Sequence, residues 1–201
     1  NYDADSEGVI NVVQGIKLSD GTNLTAAQVT AWVAGATAGA SITTSNTGMK
    51  YVGAVDVVDR MTKSEMESAV GDGEFIFKVD SAQNVTVVYD INSLTSITAE
   101  KGKMFTKNRV IRIIDNIAND ITSIFESSYV GKVNNNEDGR SLLKGALADY
   151  FATLQNMSAI QNFDTDDVTV TAGTDSDAVV ITAAIQPVDS VEKIYITVNL
   201  S

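Results

Sequence analysis

Cysteine and histidine are both absent from the 201-residue chain, and proline occurs once. Without cysteine there is no disulfide framework, no thiolate nucleophile and no zinc ribbon or iron–sulfur cluster. Without histidine there is no Ser-His-Asp triad, no imidazole metal ligand and no side chain that titrates unperturbed near neutral pH. Positive charge is also scarce: 14 Lys and Arg against 26 Asp and Glu leave a formal net charge of −12. Phosphate backbones are held by a concentrated positive face, so general nucleic-acid binding is excluded as an expectation. No run approaches the ~18 apolar residues of a membrane span, and the start does not read as a signal peptide. The first residue is Asn1, from which we expect a fragment or processed product of something longer. What remains is 44% hydrophobic, enough to bury a core, over a length that fits one large domain or two small ones.

Local patterns predict an α+β fold. Residues 9–13 read as a short strand, and Ser19-Asp20-Gly21 as a turn. Thr25 caps an expected helix through Val29, Trp32 and Val33. The small residues from Gly35 to Ala40 that follow suit either a close backbone approach or a loosely packed helix end. Residues 51–58 are β-rich, and Thr62-Lys63-Ser64-Glu65 resembles a capping box before a short helix. Phe75, Phe77 and Val79 begin an expected hairpin that returns through residues 85–89, and residues 90–98 read as a polar connector. The clearest helix spans 107–128, where Val110, Ile113, Ile114, Ile117, Ile121, Ile124 and Phe125 keep the i, i+3, i+4, i+7 stripe. A second amphipathic helix carries Leu143, Leu147, Tyr150, Phe151 and Leu154. The last forty residues are β, with a break at Gln186-Pro187-Val188-Asp189. In the final strand Ile194, Ile196, Val198 and Leu200 share one face, opposite Lys193, Tyr195, Thr197 and Asn199. Such a strand either pairs with another chain or docks at the edge of its own sheet. The expected architecture is small mixed sheets against two long amphipathic helices, with the C-terminal strand at a free edge.

Few residues suggest catalysis. Asn134 to Gly139 resembles the start of a calcium loop, but Gly145 stands where the bidentate Glu belongs, so a helix-capping loop explains it better. Asp164, Asp166, Asp167, Asp175 and Asp177 cluster around the late strands, where turn and cap roles account for them. Gly71-Asp72-Gly73 lacks the lysine and the spacing of a phosphate loop. No carboxylate pair stands out for hydrolysis. We therefore expect no enzyme, cofactor or metal. One feature is less ordinary. Lys101, Lys103, Lys107, Arg109 and Arg112 put five of the fourteen cations at or before the start of the long helix, where the macrodipole disfavours them. They serve either an acidic partner surface or internal ion pairs, with Asp115 or Glu100 as the nearest candidates.

The run Lys107-Asn108-Arg109-Val110-Ile111-Arg112-Ile113-Ile114-Asp115-Asn116-Ile117-Ala118-Asn119-Asp120-Ile121 resembles the C-terminal region of contractile tail sheath proteins. Its nearest branch is that of phages, prophages and phage-tail-like bacteriocins of Gram-positive bacteria. Supporting stretches follow in order: Ala31-Trp32-Val33-Ala34-Gly35-Ala36, Gly53-Ala54-Val55-Asp56-Val57, Gly73-Glu74-Phe75, Asp90-Ile91-Asn92-Ser93-Leu94-Thr95, Tyr129-Val130-Gly131-Lys132-Val133, Gly139-Arg140 and Pro187-Val188-Asp189-Ser190-Val191-Glu192-Lys193-Ile194-Tyr195.

The resemblance implies a structural subunit that assembles as stacked hexameric rings around an inner tail tube and contracts to drive the tube through a cell envelope. It implies that residues 1–60 close a middle sheath domain and that 61–201 form the tube-facing C-terminal domain. Lys101, Lys103, Lys107, Arg109 and Arg112 would then contact the tube, and Ile194, Tyr195, Ile196, Val198 and Leu200 would lie in a strand exchanged with a neighbouring copy. The implied partners are further copies of the chain, the inner tube protein and the baseplate and tail terminator proteins, with no nucleic acid, membrane insertion or cofactor. The implied location is a virion tail or phage-tail-like particle, assembled in the bacterial cytoplasm. A competing expectation is an acidic interaction module of another tail or surface assembly, such as an adhesin or fibre domain. The long basic-started helix argues against it.

Overall fold

The computed structural model describes residues 4–193 and Thr197. The chain divides into two compact units, residues 1–111 with 189–201 and residues 112–188. The architecture is α+β, with four α-helices and several small sheets among the described residues.

The first unit is built from very short strands that tertiary pairing holds in place. β1 (Asn11–Val12), β2 (Ile16–Leu18) and β3 (Asn23–Leu24) lead into α1 (Ala26–Gly39). That helix starts where expected, and Thr25 and Gln28 cap it reciprocally, a box the sequence reading did not anticipate. β4 (Ala54–Val57) and α2 (Lys63–Gly71) follow; Thr62 and Glu65 form the anticipated capping box of α2. β5 (Glu74–Phe75), β6 (Phe77–Val79) and β7 (Val85–Val87) complete the unit's sheets. β2 lies between β3 and β4, both antiparallel to it, β1 pairs parallel with β5, and β6 with β7 makes the expected hairpin. Alternate strand residues and one face of α1 meet in a core of Ile16, Val29, Val33, Tyr51, Val57, Phe75, Phe77, Val85 and Val87. Trp32 stacks on Tyr51 with ring centroids 4.5 Å apart, and Phe77 stands edge-on to Trp32, Tyr51 and Phe75. Gly73, between α2 and β5, has φ +72 and its missing Cβ would lie 2.9 Å from the Ser93 carbonyl oxygen, so the sharp turn there needs glycine.

Two expectations are settled in this unit. A Cβ added at Gly35 or Gly39 would meet nothing within 4 Å, so among the described residues of this chain no other backbone approaches these small residues, and they form a loosely packed helix end. The segment read as a polar connector is instead buried at its start: Asp90, Asn92 and Ser93 are each less than 5% exposed. These polar residues are inside because each has hydrogen-bond partners there.

A 3-10 turn, Lys103–Thr106, leads into α3 (Asn108–Ser128), which is one residue shorter than predicted. The second unit takes α3 from Arg112 onward, then α4 (Glu137–Asn156), β8 (Ile160–Gln161), β9 (Val168–Ala172), β10 (Val179–Ala183) and β11 (Gln186–Pro187). α4 buries Leu143, Leu147, Phe151 and Leu154, the face its periodicity indicated. The Phe151 and Phe163 rings lie 5.3 Å apart, and the Tyr150 hydroxyl donates to Asp120 at 2.7 Å. β9 and β10 form a five-pair antiparallel hairpin. Pro187, expected to break the run, sits in β11 opposite Ile160. An edge position tolerates proline because no ladder donor is needed there.

Candidate interaction site

The five cations do not form one surface patch. Lys101 reaches across to the carboxylate of Glu7, and that hydrogen bond holds the Glu7 pKa below the usual carboxylate range. Lys103, in the 3-10 turn, is exposed and has no ion-pair partner among the described residues. Lys107 is mostly buried, pairs with Glu192, and lies 4.3 Å over the ring of Tyr89. Arg109 is 7% exposed and its Nη1 donates to Ser190 Oγ at 2.6 Å. Arg112 is half-buried where the second unit begins. Internal pairing was one of the two expectations, and for Lys101 and Lys107 the partners are Glu7 and Glu192 rather than Glu100 or Asp115.

Lys107 is thus part of a polar cluster that binds the segment after residue 188 to the start of α3. One oxygen of Glu192 accepts from Ser45 Oγ at 2.7 Å and Thr47 Oγ1 at 2.6 Å; the other accepts from Lys107. Thr47 Oγ1 in turn accepts from the Asp90 amide at 2.9 Å. Asp90 takes Asn46 N–H on one oxygen and Asn108 Nδ2 on the other, both at 2.9 Å. Asn108 also donates to the Ile91 carbonyl. A loop (residues 45–47), the strand exit (89–91), the helix start (107–109) and the late segment (190–192) therefore converge on one carboxylate and its neighbours. The Glu192 side chain is only 6% exposed. Its charge answers the question that the sequence posed: a carboxylate docked at the helix start offsets cations placed where the macrodipole disfavours them.

Burial pushes the Glu192 pKa up, but the hydrogen bonds from Lys107, Thr47 and Ser45 outweigh it and leave the pKa below its ordinary value of 4.5. A depressed carboxylate contributes stability that is present above the unfolded value and lost as pH falls through the folded one. Glu192→Gln is therefore expected to lower the urea midpoint of the folded chain at pH 7. The gap to the unaltered chain should close as pH falls below 4.5. A gap that stays constant from pH 7 to pH 3 would show that the Glu192 charge adds nothing.

Three of the remaining candidates serve as caps. Asn136 Oδ1 accepts from the Gly139 amide at 2.9 Å and caps α4, so the calcium-like loop is a helix start. Asp164 and Asp167 cap the 3-10 turn Thr165–Asp167 reciprocally. Ile194, Tyr195, Ile196, Val198 and Leu200 lie outside the described residues. Sequence reasoning missed Ser45, Thr47, Asp90 and Glu192. The available signal was that Asp90 and Glu192 both stood in stretches carrying the family resemblance while neither had a surface role.

Comparison with known proteins gives two family matches in chain order. Residues 1–93 match the phage tail sheath protein central domain, and residues 100–201 match the phage tail sheath C-terminal domain. A sheath tail protein from Desulfitobacterium hafniense is 52% identical and superposes with a TM-score of 0.87 over 98% of this chain and 46% of its own. A sheath tail protein from Listeria innocua is 40% identical, with a TM-score of 0.86 over 98% of this chain and 47% of its own. A protein of the phage-like element PBSX of Bacillus subtilis is 41% identical over the whole chain. The chain spans about 45% of the length of that relative.

Proposed function

The chain belongs to the phage tail sheath family, and on that premise we propose that it is the C-terminal half of a contractile sheath subunit. The family is structural rather than enzymatic. In this reading, copies polymerise as stacked hexameric rings around an inner tube and contract to drive the tube through a cell envelope. The partners are other copies, the tube protein and the baseplate and terminator proteins. The site of action is a virion tail or a phage-tail-like particle, assembled in the bacterial cytoplasm. Residues 1–60 as the end of a middle domain, and 61–201 as the tube-facing domain, rest on the sequence resemblance alone, because the family matches run 1–93 and 100–201. The observation that carries the sheath reading is the pair of family matches, central then C-terminal, which together leave only residues 94–99 unmatched.

Tube contact falls unevenly on the five cations. Lys107 and Arg109 are engaged within their own unit, and Arg112 is half-buried. Lys103 and the partly exposed Lys101 are the two most open to an acidic tube surface. Each exposed ion pair contributes only ~0–1 kcal/mol, so a grip made of many such pairs releases when contraction begins. The experiment is electron microscopy of the parent protein produced with its tube protein. Striated tubes around a filled lumen are expected for the natural sequence, and empty or absent tubes for Lys101→Glu with Lys103→Glu. Dispersed particles with the natural sequence would overturn the sheath reading. Filled tubes with the double variant would end the tube-contact assignment and leave the sheath reading intact.

A further inference from the structure

The segment from Val188 to Lys193 alternates: Val188, Ser190 and Glu192 are partly or largely covered, while Asp189, Val191 and Lys193 are exposed, Val191 at 89%. That is the period of an extended chain lying on a surface. Its covered positions carry unusual side chains. Ser190 and Glu192 are polar, and each is held by a cation from the start of α3, Arg109 and Lys107. In the sequence the same alternate positions continue as Ile194, Ile196, Val198 and Leu200. In the sequence, the residues at this alternate spacing thus change from polar to apolar between 192 and 194.

We infer that Glu192, clasped by Lys107, Ser45 and Thr47, is the fixed root of the terminal strand. It ties residues 189–193 to their own subunit, so that only the chain beyond Lys193 passes to a second copy. This inference rests on the strand-exchange reading of residues 194–200. The physical reasoning is that a chain handed to a neighbour needs a defined point of departure. Apolar contacts alone fix that point poorly, because a strand with an apolar face slides by two residues and buries much the same surface. A carboxylate in a socket of one ammonium and two hydroxyls does not slide: a shift of two residues would draw Ile194 into the polar socket and strand Lys107. Buried ion pairs are best attested in this role of setting register. The socket also has a second support. Thr47 and Asn108 both bond Asp90, so the donors are held by the body of the unit and not by the segment they grip. Tension along the exchanged strand during contraction would therefore end at α3 and the 45–47 loop.

The test uses the parent sheath protein with Glu192→Lys, Lys107→Glu, and the exchange Lys107→Glu with Glu192→Lys. Sheath assembly is read by sedimentation, and folding by the fluorescence of Trp32. Each single variant is expected to raise the protein concentration needed for assembly at least tenfold while Trp32 fluorescence stays native. The exchange is expected to bring that concentration back to within about threefold of the natural sequence. Val191→Lys, a charge change on the exposed side of the same segment, is expected to have no effect. Single variants that assemble normally would overturn the inference. So would an exchange as defective as its parents, because an ion pair that fixes the root should work again when both charges are reversed together. A chain ending at Lys193 runs alongside. If it assembles normally, the strand-exchange reading itself is wrong; if it does not, defects in the Glu192 variants bear on the root alone.

Discussion

Phe77→Ala is expected to destabilise the first unit by about 3–5 kcal/mol, the usual cost of deleting a fully buried aromatic ring. Phe77 is 1% exposed and touches three rings at once: Trp32 at 5.8 Å, Tyr51 at 6.0 Å and Phe75 at 5.6 Å between centroids. Those rings come from a helix, a loop and a neighbouring strand, so the cavity left behind would border elements that cannot all close onto it. Against a typical stability of 5–15 kcal/mol, such a loss leaves a substantial unfolded fraction. Trp32 is the sole tryptophan and stacks on Tyr51, so its fluorescence reports on this core directly. Urea unfolding followed at Trp32 measures the effect. A loss below 1 kcal/mol would mean that the aromatic cluster is not what holds these two- to four-residue strands together.

Those short strands also explain how far the sequence could be read. The helices were legible because their signals are local. α4 buries Leu143, Leu147, Phe151 and Leu154, as the 3.6-residue spacing indicates, and α3 buries Val110, Ile113 and Ile117. Further along α3 the stripe is only half-buried at Ile121, Ile124 and Phe125, although its pattern does not weaken. Periodicity gives the direction of a face, not what covers it. The parallel pairing of β1 with β5 and the pairing of β8 with β11 involve two residues on each strand, too few for alternation to register. The proline in β11 hid that strand further.

The candidate site was half legible for the same reason. The cations were conspicuous in one twelve-residue window, but their partners were not. Glu192 is 85 residues from Lys107, and Thr47 is 145 residues from Glu192. Nothing in one sequence links such positions. The Asp90 stretch looked like a connector because polar residues usually face water. Here they satisfy one another inside the unit, which reverses the usual inference from composition.

Removing residues 194–201 is expected to have the largest effect on assembly of any change considered. Four apolar side chains, Ile194, Ile196, Val198 and Leu200, alternate along one face in that segment. Full burial of such a side chain contributes roughly 1.5–3 kcal/mol, or about 6–12 kcal/mol for four, before the costs of association are deducted. If even a third of that survives, the loss is about 2–4 kcal/mol per junction, a weakening of roughly 30- to 1,000-fold. A polymer multiplies the penalty, because every subunit both gives and receives a strand in the exchange reading. The truncated parent should therefore remain dispersed at protein concentrations where the natural sequence sediments as tubes. It should keep its Trp32 signal and its urea midpoint, since the core of Phe75, Phe77, Val85 and Val87 involves, among the described residues, none beyond 87. Stability and assembly thus separate cleanly. A truncation that lowers the urea midpoint and still forms tubes would mean that the strand completes its own subunit, the edge-strand alternative that the sequence left open.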